Sequence, residues 1–166
     1  MAAGIPLEKA QKYVEQFNAL LLAQEGLDPF TERNIREELL KEETLLPAIR
    51  LTQKLDIAVV GIGYPNEKSA IMATGYFKEN EIDSLINRKV AGELCMQFYD
   101  IYGDTAPYKD DNNVIGMDIS MLRSVPRSIG IAGGVEKLRA VRGAINGHYI
   151  NTLITDIECA EALISE

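Results

Sequence analysis

Two glycine loops, one carboxylate and one lysine carry the chemistry this sequence offers. The first loop is Gly61-Ile62-Gly63, at the end of the β-branched run IAVVGIG. The second is Gly133-Gly134 in SIGIAGG, followed by Lys137 at the third position past the second glycine. A strand that ends in a glycine loop and continues as a helix presents unpaired backbone N–H groups, and these favour an anion together with the helix dipole. Glycine lets a ligand come close to the backbone. Lys137, one turn into the expected helix, adds a full positive charge to the same anion. Arg139 and Arg142 fall on other faces of that helix and are expected in solvent. The local residues are equally compatible with a plain βα turn and a surface lysine.

The Gly61–Gly63 loop lacks the third glycine of a dinucleotide fingerprint and the acid that follows it, so no cofactor is expected. In an open α/β sheet, ligands bind outside the carboxyl ends of the strands, which places both glycine loops on one crevice. Glu93, directly after Gly92, can accept hydrogen bonds from ligand hydroxyls; the plainer alternative is an ordinary exposed acid. His148, the only histidine, lies in the turn-like Asn146-Gly147-His148 with no Ser or Cys beside it to activate, so it is not expected to be catalytic. Cys95 and Cys159 form no CxxC pair and no metal-ligand spacing, which predicts free thiols and no metal site.

The elements that must position these residues divide the chain in two. Residues 1–55 read as helical. Leu7, Ala10, Val14, Phe17 and Leu21 recur at helical spacing between Pro6 and Leu22. A second helix is expected after the Thr31 cap, over Glu32 to Lys41, and a third from Thr44 to Lys54 with Pro47 in its first turn. Residues 56–166 read as an α/β core, the whole forming one structural domain. IAVVGIG, NVIGMDI, SIGIAGG and NTLITD are expected as buried strands of a parallel sheet covered on both faces. GELCMQFYDIYGD fits a strand leading into a hairpin at Tyr102-Gly103 better than its alternative, a short helix, and a last helix is expected from the Asp156 cap to Ile164. The fold class is therefore α/β, a Rossmann-like open, mostly parallel sheet with helices on both faces.

Composition excludes some functions. The chain has 166 residues, 25 acids against 17 bases and a net charge of −8. That field repels phosphate backbones, and no Lys/Arg block grips DNA. No apolar run reaches the roughly 20 residues of a membrane span, and no signal-like segment opens the chain, so a cytoplasmic location is expected.

The runs DIAVVGIGYP, VAGELCMQFYDIYGD and VIGMDISMLRSVPRSIGIAGGVEKLRAVRGAINGHYINTLITD resemble, in this order, the effector-binding domain of SorC/DeoR-type sugar-responsive transcriptional regulators. That family shares a superfamily with glucosamine-6-phosphate deaminase and ribose-5-phosphate isomerase. The resemblance implies a phosphorylated sugar or glycolytic intermediate held by Gly61, Ile62 and Gly63, by Glu93 through sugar hydroxyls, and by Gly133, Gly134 and Lys137 at the anionic group. It implies a homo-oligomer whose operator affinity the ligand alters, with DNA contacted only through a helix-turn-helix that this chain does not show. Relatives run about twice this length, so the resemblance also implies a domain truncated on its N-terminal side. The competing readings are an isomerase or deaminase using Glu93 or Asp56 as its proton-transferring carboxylate, and a non-binding oligomerisation remnant. No catalytic pair is evident for the enzyme.

Overall fold

The computed structural model describes residues 50–66, 69, 79–112 and 116–165. The chain divides into two compact units, Met1–Thr52 and Gln53–Glu166. The helices expected over Pro6 to Leu22 and Glu32 to Lys41 lie outside the described residues. Of the third, residues 50–52 are described and are helical, followed by a turn at 53–54.

In the second unit, three strands form a parallel sheet: β1 (Ile57–Gly61), β4 (Arg127–Ile131) and β5 (Thr152–Ile154), in the order β1-β4-β5. Ile57 pairs with Arg127 and Gly61 with Ile131; Ile129 in turn pairs with Thr152. Parallel neighbours need a long crossover. Between β1 and β4 it holds helix α1 (Glu79–Asn87), the antiparallel pair β2 (Gly92–Leu94) and β3 (Gln97–Tyr99), and 3-10 turns at Ala106–Tyr108 and Ile119–Ser124. Between β4 and β5 it holds a 3-10 turn, Val135–Lys137, running into α2 (Leu138–Asn146). Helix α3 (Ile157–Ser165) follows β5, as the Asp156 cap predicts. Among the described residues no helix is long and apolar enough to cross a membrane.

Register decides which side of the sheet is covered. Ala58 and Ser128 share one face and are buried, and Ala58 belongs to the core cluster that includes Ala140, Val141 and Ala144 of α2 and Cys159 of α3. The opposite face carries Ile57, Val59, Ile131 and Ile154, which are 55%, 61%, 44% and 53% exposed. The expected cover on both faces is thus found on one face only among the described residues. A continuous β-branched run signals strand, and it does not say which side has a partner. A second apolar cluster joins Ile82 and Leu85 of α1 to Val90, Phe98 and Tyr108.

Two expected elements differ. Residues 113–115 of NVIGMDI lie outside the described residues, and residues 116–119 form no strand. Asp118 accepts the Ser120 N–H at 2.8 Å and caps the 3-10 turn that buries Ile119 and Leu122. The Gln97 amide fixes this path by donating to Met117 O at 2.8 Å and accepting from Ile119 N at 3.2 Å. The hairpin turn is Cys95-Met96, not Tyr102-Gly103. The latter pair lies in a closed local turn, where Asp100 Oδ1 accepts the N–H groups of Tyr102 and Asp104 at 2.8 and 2.9 Å.

Candidate functional site

Strand β1 delivers the Gly61–Gly63 loop to the carboxyl end of the sheet, where a cleft of about 240 Å³ opens. It is lined by Gly61, Ile62, Gly63, Tyr64, Pro65, Ser69, Glu93 and Lys137. Five of the seven expected site residues therefore meet in one cavity: Gly61, Ile62, Gly63, Glu93 and Lys137. Gly133 and Gly134 do not line it; their turn is joined to it through Lys137, whose N–H donates to Gly134 O at 3.1 Å. Lys137 closes a 3-10 turn just before α2, where the sequence suggested a position inside a helix. Tyr64, Pro65 and Ser69 were missed, and the signal for the first two was simple continuity with the loop.

Glu93 is held on both its backbone and its side chain. Gly63 and Glu93 form a two-residue antiparallel bridge, each N–H donating to the other's carbonyl at 2.9 Å. The Glu93 carboxylate lies over Gly63, so that a Cβ there would stand 2.7 Å from Glu93 Cδ. Its Oε2 accepts the Met96 N–H at 2.9 Å. That bond supports a hairpin turn in which Cys95 and Met96 both take positive φ, 52° and 60°, a conformation costing about 1–2 kcal/mol per non-glycine residue. Burial pushes the Glu93 carboxyl above its ordinary value, opposed by the Met96 N–H and by the Lys137 charge. Glu93 is thus a half-buried acceptor facing a cation across the cleft, where the sequence alone also allowed an exposed acid.

At the second loop, Gly134 has φ 92°, in the left-handed region where glycine alone is unstrained. Its N–H donates to Asp156 Oδ2. Arg139 is exposed. Arg142 departs from its expected place in solvent: it is partly buried, and its Nη2 donates to Leu163 O of α3 at 3.5 Å. His148 sits in a turn at φ 56°, its N–H donating to Ile145 O at 2.9 Å. Cys95 and Cys159 are both free, the first exposed and the second buried. Asp56 precedes β1 and so lies at the opposite end of the strand from the cleft, on the order of 15 Å away at ~3.3 Å per residue.

The chain matches the family model described as "Putative sugar-binding domain" over residues 28–165. It is 33% identical over 156 residues to the sorbitol operon regulator of Klebsiella pneumoniae, covering 94% of this chain and 47% of that protein. The deoxyribonucleoside regulator of Bacillus subtilis is 28% identical over 137 residues, covering 82% of this chain and 44% of its own length. Among solved structures, the full-length sorbitol operon regulator of Klebsiella pneumoniae superposes with a TM-score of 0.70 at 34% identity, over 80% of this chain and 43% of that one. The chain spans about half the length of the curated relatives it matches. It belongs to the sugar-binding domain family of SorC/DeoR-type transcriptional regulators.

Proposed function

We propose that the cleft binds a phosphorylated sugar, with sugar hydroxyls on Glu93 and the Gly61–Gly63 backbone and the phosphate at Lys137 and the Gly133–Gly134 turn. The observation that carries this reading is the meeting of Glu93 and Lys137 with the Gly61–Gly63 loop in one cavity. A half-buried carboxylate suits a polyol, and a cation beside a glycine turn suits a phosphate. On this reading, ligand occupancy biases a homo-oligomeric regulator between states of unequal operator affinity. The names of the matched relatives, regulators of a sorbitol operon and of deoxyribonucleosides, support a carbohydrate-type effector. An isomerase or deaminase is disfavoured because Asp56 is remote from the cleft and because, among the described residues, Lys137 is the only ionisable group besides Glu93 and Tyr64 that lines it.

Lys137→Ala tests the reading. Losing a charge-assisted contact of roughly 1.5–3 kcal/mol weakens phosphosugar binding about tenfold or more, with the melting temperature of the free protein unchanged. Arg139→Ala is the control, because Arg139 is exposed and does not line the cleft. Calorimetry with glucose 6-phosphate and ribose 5-phosphate that finds both variants equal to the unsubstituted chain sinks the phosphate assignment.

A further inference from the structure

The Gly133–Gly134 turn and helix α3 share one carboxylate. Asp156 Oδ2 accepts the Gly134 N–H, while its Oδ1 accepts the Cys159 N–H at 2.8 Å and its carbonyl accepts the Ala160 N–H at 3.0 Å. A Cβ on Gly133 would stand 2.9 Å from the same Oδ2, and one on Gly134 would stand 2.6 Å from Glu136 Cδ. The turn that has the backbone for an anion therefore already holds one internal anion on its amide and has a second folded over its α-carbon. The N–H groups of Cys159 and Gly134 hold the Asp156 carboxyl below its ordinary range, as expected of a carboxylate in an anion's place.

A ligand phosphate brings about −1.5 to −2 charge at neutral pH. One N–H serves one strong acceptor, and two anions in contact repel. A neutral hydroxyl is a weaker acceptor than a carboxylate and does not take that N–H from Asp156, whereas a phosphate can. We propose that Asp156 is a specificity-determining residue, an internal competitor for the Gly134 amide that only an anionic ligand group displaces, and whose displacement loosens the first turn of α3. This rests on the phosphate being at the Gly133–Gly134 turn, as assigned under the proposed function. It adds a selection rule for the ligand and a route from the cleft to the C-terminal helix.

Two substitutions separate competition from a structural role. Asp156→Asn keeps a good helix-capping oxygen and removes the charge, while Asp156→Ala removes both. Calorimetry uses glucose 6-phosphate, ribose 5-phosphate and inorganic phosphate; hydrogen exchange follows the amides of Cys159 and Ala160. Competition gives about a fivefold or greater gain in sugar-phosphate affinity for both variants, and exchange at those two amides that quickens about fivefold when ligand binds the unsubstituted chain, the scale of losing a helix cap. If the unsubstituted chain binds in a Lys137-dependent way but the Asp156 variants bind equally or more weakly and α3 exchange is unmoved by ligand, the inference is overturned and the phosphosugar reading survives. If neither the unsubstituted chain nor either variant binds any of the three probes, both fall together.

Discussion

The Glu93 carboxylate occupies the space that a side chain at Gly63 would fill: a Cβ on Gly63 would stand 2.7 Å from Glu93 Cδ and 2.8 Å from its Cγ. The second glycine of Gly61-Ile62-Gly63 is therefore a steric requirement of the acid across from it. The backbone bridge between Gly63 and Glu93 fixes that approach, so the carboxylate can give way only by leaving Met96.

Gly63→Ala consequently has a cost that depends on Glu93. The expected destabilisation is roughly 1–3 kcal/mol, the range for inserting a methyl group into a filled space. It should shrink when Glu93→Ala is added, giving a coupling of about 0.5–3 kcal/mol in the double-mutant cycle. Urea melts of the four proteins measure it. Additive effects would mean that the two residues do not compete for space in solution.

Gln97 offers a prediction away from the cleft. Its amide is the long-range link that directs residues 117–119 into a 3-10 turn, serving the Met117 carbonyl and the Ile119 N–H from a side chain only 8% exposed. Gln97→Leu has a similar size and serves neither group. A loss of about 1–3 kcal/mol is expected in chemical denaturation, from polar groups left without a partner. Ligand affinity should hold, since Gln97 does not line the cleft. A variant as stable as the unsubstituted chain would show that water replaces the amide there.

Glu93 and Gln97 mark the boundary of what local sequence makes legible. Strands β1, β4 and β5 announce themselves because β-branched runs ending in Gly61, in Ala132-Gly133 and in Asp156 combine strand preference with a stop signal. NVIGMDI has the same local texture, yet Asp118 and Gln97 turn its described part into a 3-10 turn. Gln97 acts across the chain, beyond the reach of local pattern. Glu93 is visible as an acid after a glycine, and Asp156 as a helix cap. Their second partners, Gly63 and the Gly134 amide, exist only once parallel and antiparallel pairings bring distant loops together. The cleft residues were thus readable as residue types, while the backbone partners that hold the two carboxylates were not.

The pH dependence of stability arises from that balance. Burial raises the Glu93 carboxyl above its ordinary value of 4.5, so the folded chain keeps this proton to higher pH than the unfolded chain does. Its contribution is fully present below 4.5 and is lost as pH rises through the folded value. Asp156 has the opposite sign. Its carboxyl is lowered from 3.8 by the Cys159 and Gly134 N–H groups, so its contribution is present above 3.8 and is lost as pH falls through the lower folded value. On acidifying from neutral pH towards 4.5, Glu93 alone of these two takes up protons on folding, and Glu93→Gln removes that uptake. The expected outcome is that the stability difference between Glu93→Gln and the unsubstituted chain shifts in favour of the unsubstituted chain as pH falls from about 7 to 4.5. Urea midpoints taken at half-unit steps measure it, and Asp156→Asn should leave that stretch unaltered while flattening the loss below 3.8. Parallel curves for Glu93→Gln and the unsubstituted chain would place the Glu93 carboxylate in bulk water, which its position between Gly63, Met96 and Lys137 does not allow.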